Sequence, residues 1–101
     1  MQEIKHFING QYVPSSSGQT FNKHSPLDNC LLAKVSEGGQ KEVDAAVAAA
    51  RAALKGDWGR MSVDKRVSML HAVADGITQR FDDFVAAEEA DTGQPRHVIS
   101  H

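Results

Sequence analysis

Apolar residues follow two different rhythms along this chain. Up to Val35 they come in short arms separated by turn-formers, and from Val43 onward they recur every third or fourth position. The first rhythm suits strands and the second helices. Phe7-Ile8 and Gln11-Tyr12-Val13 flank Asn9-Gly10, the dipeptide best able to adopt the positive φ angles of a tight hairpin turn, which predicts strand, turn, strand. Pro14 and the run Ser15-Ser16-Ser17-Gly18 then break regularity and predict an exposed loop. Thr20–Ser25 reads as a third strand ended by Pro26, and Leu31–Val35 as a fourth, with Leu27–Cys30 between them as a turn in which Asn29 tolerates left-handed geometry. Two hairpins make an antiparallel opening, and Glu37-Gly38-Gly39 is its exit.

At Gln40 the period changes. Val43, Val47, Ala50 and Leu54 share one helical face, so a helix is predicted over Gln40–Lys55 and ended by Gly56. Asp57–Arg60 reads as a connector whose Trp58 plugs a joint between helices. Ser62 is a suitable N-cap and Asp64 favours a first turn; Val63, Val67, Leu70, Ala74, Ile77 and Phe81 then form a continuous apolar face, predicting a helix over Val63–Arg80. Asp82 or Asp83 is expected to cap a third helix that carries Phe84 and Val85 inward and runs through Ala86–Ala90 to Asp91-Thr92-Gly93, with Pro95 as the stop. Arg96–His101 looks like the start of a further helix with no stop signal after it, which reads as an interrupted sequence.

Composition narrows the class. The chain has 101 residues, 41% hydrophobic and 24% charged with 3 prolines, which is ordinary globular usage in the size range of one small domain. Eleven basic against 13 acidic residues leave a net charge of −2, interspersed along the helices, so there is no basic stripe for nucleic acid or an anionic membrane. Glu3, Lys5 and His6 interrupt the opening residues, which excludes a signal-peptide core there, and no run approaches the roughly 20 apolar residues that span a bilayer. A cytoplasmic location follows, and Cys30, as the single cysteine, fits a reducing compartment.

Candidate chemistry is sparse. Cys30 sits in a turn beside Asn29 with no motif around it and reads as an incidental turn residue, not a nucleophile. His97 and His101 are spaced to share a helix face, but Val98-Ile99-Ser100 supplies no acid between them and no third metal ligand is apparent; His6, His24 and His71 are scattered. Adjacent Glu88 and Glu89 point about 100° apart on a helix, so they read as a solvated face; Asp91, at a helix end with free carbonyls, is the better candidate for a hard cation. Gly38-Gly39 lacks the context of a phosphate-cradling loop, and there is no Ser-His-Asp order or Cys-x-x-Cys pair. The residues alone describe a binding or structural module, such as a free-standing helical interaction module without enzymatic activity.

Taken in order, Phe7-Ile8-Asn9-Gly10 with Val13, Ser25-Pro26, Val43–Ala50, Trp58, Arg66 with Leu70, Ala74-Asp75 and Ile77, and Asp91-Thr92-Gly93-Gln94-Pro95 resemble the N-terminal segment of the NAD(P)-dependent aldehyde dehydrogenase superfamily over nearly the whole chain. The opening Glu3–Ile8 and the connector Ala52–Arg60 look most like the 2-hydroxymuconic and 2-aminomuconic semialdehyde dehydrogenases of aromatic-ring degradation. The resemblance implies an α/β fold: N-terminal β-hairpins over about 5–36 and helices over about 40–93, part of a Rossmann-like NAD-binding domain, truncated, with the catalytic domain absent. It implies an enzyme several times longer, in which a cysteine thiolate attacks an aldehyde, hydride passes to NAD and water releases the carboxylic acid. The catalytic and NAD-binding residues of the family lie beyond the position matched by His101, so this chain has none of them and is expected to be inactive and marginally stable alone. The partners implied are a small-molecule aldehyde and further copies of the same chain in a homo-oligomer. A monovalent cation, Na+ or K+, is implied at the carboxylate of Asp91 with the backbone carbonyls of Lys23 and His24; here Ser25 replaces the family's usual asparagine and Gln94 its usual lysine.

Overall fold

The computed structural model of the chain describes residues 2–100. Among the described residues five short strands precede five helices: β1 (Gln2–Ile4), β2 (His6–Ile8), β3 (Gln11–Val13), β4 (Thr20–His24), β5 (Leu31–Ser36), α1 (Gln40–Lys55), α2 (Asp57–Arg60), α3 (Val63–Gln79), α4 (Phe81–Thr92) and α5 (Arg96–Ile99). Contacts divide the chain into two units, one of residues 1–24 and 31–60, the other of residues 25–30 and 61–101.

In the first unit, β2 and β3 form the expected hairpin, with His6 opposite Val13 and Ile8 opposite Gln11. Its turn works because Asn9 (φ 53°) and Gly10 (φ 78°) both take positive φ, the pair of angles that matches the twist of the flanking strands. Phe7 and Tyr12 meet on one face, rings 5.0 Å apart and edge to face. The other sheet corrects the antiparallel reading. β5 is its centre, antiparallel to β4 on one side but parallel to β1 on the other, with Gln2, Glu3 and Ile4 opposite Ala33, Lys34 and Val35. β1 is exposed throughout and carries no alternating apolar pattern, so nothing local marked it as a strand.

Helix α1 has the predicted bounds, and Gly56 caps it, its amide donating to the Ala53 carbonyl. The connector is itself a single helical turn, α2, packed on α1. Trp58 remains 36% exposed, so it is not enclosed as a plug would be.

In the second unit, Ser62 caps α3 as expected, its hydroxyl accepting from the Lys65 amide at 3.2 Å. Arg80, not Asp82 or Asp83, is the hinge residue to α4: its amide donates to the carbonyls of Gly76 and Ile77, closing α3, and the next helix starts at once. Asp82 and Asp83 fall inside the first turn, where their charge still favours the positive end of the helix. Asp82 holds Arg96 of α5 at 2.6 Å. Of the pair expected inward on α4, Val85 is buried and Phe84 stays 49% exposed.

Ala33 and Val85 are the buried apolar residues among those described, while Val63 (65%), Leu70 (61%), Leu54 (69%) and Val43 (55%) stay open. The stripes on α1 and α3 are therefore formed but uncovered. Since helical stability in proteins comes mostly from burying such a stripe, each unit by itself holds only a thin core.

Candidate functional site

The structure is most specific where charge meets backbone. Three places qualify: the turn around Cys30, the end of α4, and the start of α1.

The Ser25–Cys30 turn is tied by Ser25 donating its amide to the Cys30 carbonyl at 2.8 Å, Asn29 donating to the Ser25 carbonyl at 2.9 Å, and the Cys30 amide donating to Asp28 Oδ1 at 3.0 Å. Asn29 takes the expected left-handed conformation, φ 62°. Hydrogen bonding to the Asp28 carboxylate, together with its negative charge, pushes the Cys30 thiol above its ordinary range, while the Cys30 amide holds Asp28 below its own. An activated thiol needs the opposite environment. Cys30 is exposed and its thiol is disfavoured as a thiolate, in agreement with its reading as a turn residue.

At the end of α4, Thr92 Oγ1 donates to the Glu88 carbonyl at 2.7 Å, and Gly93 closes the helix in the left-handed conformation, φ 73°. A Cβ on Gly93 would lie 3.1 Å from Pro26 Cγ and 3.4 Å from Leu27 Cδ2. The Ser25-Pro26 and Asp91-Thr92-Gly93 motifs thus meet in space through a glycine that nothing larger can replace comfortably.

Asp91 lies in the last turn of α4 in the second unit, whereas Lys23 and His24 close β4 in the first. The β4–β5 register slips between Lys23 and His24, the two residues expected to offer carbonyls, because β5 carries an extra residue, Leu32, opposite them. Among the described residues no group of three or more His, Cys, Asp or Glu side chains could hold a metal ion. His101, the second member of the His97 pair, lies outside the described residues.

The start of α1 holds a feature that the sequence reading passed over. Glu42 is 8% exposed, and its carboxylate accepts the Ser16 amide at 2.6 Å and the Gly39 amide at 2.8 Å. The second bond is the returning half of a capping box; with glycine at the cap the forward half has no side chain to make it. The Gly-x-x-Glu spacing could have signalled that half, but nothing local points to Ser16. A phosphate seated at this helix start would meet a carboxylate already bound to the Gly39 amide, so Gly38-Gly39 does not fit the pyrophosphate of NAD.

The Ser16 amide first, then the Gly39 amide and the Ser16 hydroxyl, lower the Glu42 pKa from 4.5 to about 2. Because the folded value is depressed, the stability it contributes is complete above about pH 4.5 and is lost as pH falls from there through about 2. Acid titration of unfolding should show this loss, and Glu42→Gln should flatten it. Equal acid sensitivity in the two proteins would contradict the assignment.

Comparison with known proteins places these features in a longer context. Residues 12–101 match the model of the aldehyde dehydrogenase family. The chain is 59% identical over all 101 of its residues to 2-hydroxymuconic semialdehyde dehydrogenase of Pseudomonas sp. (strain CF600), of which it covers 21%. It is 41% identical over 95 residues, 94% of this chain and 19% of the other, to 2-aminomuconic 6-semialdehyde dehydrogenase of Pseudomonas sp. The structure of an aldehyde dehydrogenase from Bacillus cereus in complex with NAD+ superposes with a TM-score of 0.92 at 37% identity, over 96% of this chain and 20% of that one. The chain spans about a fifth of the length of the curated relatives it matches.

Proposed function

The chain belongs to the aldehyde dehydrogenase family, and we propose from this that it is the N-terminal portion of an NAD-dependent enzyme that oxidises a muconic semialdehyde to the corresponding carboxylic acid during the breakdown of aromatic compounds. The observation that carries the reading is the 59% identity over all 101 residues to a protein about five times as long that is named for that substrate. Two features of the chain agree with a supporting role for this portion. Asp28 pushes its one thiol above the ordinary range, and the start of α1 is filled by Glu42. Nucleophile, general base and NAD-binding glycines belong in this reading to the remaining four-fifths, and the stripes on α1 and α3 await burial by it.

The test compares two proteins. A polypeptide that continues these residues to the length of the relatives should reduce NAD when given 2-hydroxymuconic semialdehyde, followed by the near-ultraviolet absorbance of NADH, and this chain alone should not. Turnover by the chain alone would overturn the assignment of catalysis elsewhere, and an inert long form would overturn the activity. The enzyme is further read as a cytoplasmic homo-oligomer; no helix among the described residues is long and apolar enough to cross a membrane.

A Na+ or K+ ion held by Asp91 and the carbonyls of Lys23 and His24 belongs to the same proposal. What supports it is the break in the β4–β5 ladder at this point, where the extra Leu32 of β5 interrupts regular pairing opposite Lys23 and His24. In the long form, the melting temperature should rise with sodium or potassium concentration relative to choline at equal ionic strength, and Asp91→Ala should abolish the rise. An unchanged response in the variant would remove the site.

A further inference from the structure

Between the β2–β3 hairpin and α1 lies a hollow of about 200 Å3, walled by Ile8, Val13, Pro14 and Ala45 with Ser16 and Glu42 at its polar side. The Pro14–Gln19 segment runs along it. That segment is knitted internally: Ser15 and Ser17 hydroxyls are 2.8 Å apart, the Ser17 amide donates to Ser15 Oγ at 3.3 Å, the Gln19 amide to Ser17 Oγ at 3.2 Å, and the Gly18 amide to the Ser15 carbonyl at 3.0 Å. It is a preformed turn of serines with Ser15 buried beneath it. Its tie to α1 is the Glu42 carboxylate, Oε1 on the Ser16 amide and Oε2 on the Gly39 amide.

We propose that Glu42 is a latch: one buried carboxylate fastens the Pro14–Gln19 segment as a strap beside the apolar hollow, and the strap and the first turn of α1 open together when it lets go. The physical ground is that the two amides share one acceptor group. A carboxylate presents two acceptor oxygens on a rigid plane, so a rotation that releases Ser16 also swings Oε2 away from Gly39. Each release leaves a charge-assisted bond unmade at a partly buried site, which couples the two events. A helix cap alone would tie Gly39 and leave the serine turn free to move. A latch also fixes where the hairpin stands on α1, because the strap follows β3 directly.

Glu42→Gln separates these cases. A neutral amide offers one acceptor and one donor, so whichever way it is turned, one of the two backbone N–H groups faces an NH2. Amide hydrogen exchange at Ser16 and Gly39 is measured by mass spectrometry on the polypeptide continued to the length of the relatives, in the wild type and the variant. The wild type should show Ser16 and Gly39 protected to the same degree, and Glu42→Gln should speed both by roughly tenfold or more while the β4–β5 ladder is unchanged. Acceleration of Gly39 with Ser16 unmoved would reduce Glu42 to a cap and overturn the latch, as would equal acceleration throughout the ladder. Should the variant not fold, the wild type decides alone. Under graded denaturant the two amides must follow one opening equilibrium, and protection differing by more than about tenfold, or exchange of both at unstructured rates, refutes the proposal.

Discussion

Gly59→Ala is expected to lower the melting temperature of the chain by roughly 10 °C or more, the largest effect of any single methyl group added to it. A Cβ on Gly59, in the one-turn helix α2, would overlap the carbonyl oxygen and carbon of Leu54. Leu54 lies in the last turn of α1, and both atoms are backbone, so no rotamer change relieves the clash. The corner is also braced from both sides, the Arg60 amide donating to the Gly56 carbonyl at 3.2 Å and Arg60 Nη1 to the Lys55 carbonyl at 3.1 Å. Opening the angle between α1 and α2 would break these bonds. Forcing atoms into a filled space costs about 1–3 kcal/mol where side chains can yield, and more where backbone must move. Gly76→Ala is the internal control. It lies inside α3, where a Cβ meets nothing within 4 Å, so alanine there should stabilise by about 0.5–1 kcal/mol through helix propensity. Thermal melts followed by circular dichroism read both, and equal midpoints for Gly59→Ala and wild type would show that α2 does not sit against Leu54.

The second large effect is expected at Gly93→Ala, at about 2 kcal/mol, from two separable causes. Its φ of 73° costs an L-residue about 1–2 kcal/mol, and the new methyl would press on Pro26 Cγ at 3.1 Å. Asparagine, which tolerates left-handed geometry, should recover part of the first cost and none of the second. Denaturant midpoints for alanine and asparagine at this position give the division. Exchange of the Asn29 amide, bound to the Ser25 carbonyl at 2.9 Å, reports whether the turn has shifted. If asparagine restores the wild-type midpoint fully, Gly93 serves only as a helix terminator and its contact with Pro26 carries no energy.

These two glycines also show where the sequence was readable. Gly93 was legible as the end of an acidic helix and as one letter of a family motif, but its contact with Pro26 and Leu27 was not. The pair belongs to segments far apart in the chain, and neither carries a mark of the other. Gly59 lay in a stretch read as a connector, and only the fold of α2 against α1 shows why a glycine stands there. Of the candidate groups, Cys30 was placed correctly in a turn, with Asn29 left-handed beside it. That Asp28 raises its thiol needed coordinates, because the effect depends on which atoms touch. Arg80 as the junction of α3 and α4 was displaced from the expected Asp82 or Asp83 because acids favour a whole first turn, not one position in it.

The sequence by itself determined the hairpin at Asn9-Gly10, the bounds of α1, the start of α3 at Ser62 and the family to which the ordered motifs point. Each of these rests on energies exchanged between residues a few positions apart: dihedral preferences, caps, and the recurrence of apolar side chains on one face. Tertiary structure alone decided that β1 runs parallel to β5, that Glu42 reaches Ser16, and that Gly93 lies beneath Pro26. Those contacts join residues whose approach must offset the entropy of closing the chain between them. No local pattern announces such a bargain, because its gain appears only when both segments are already in place.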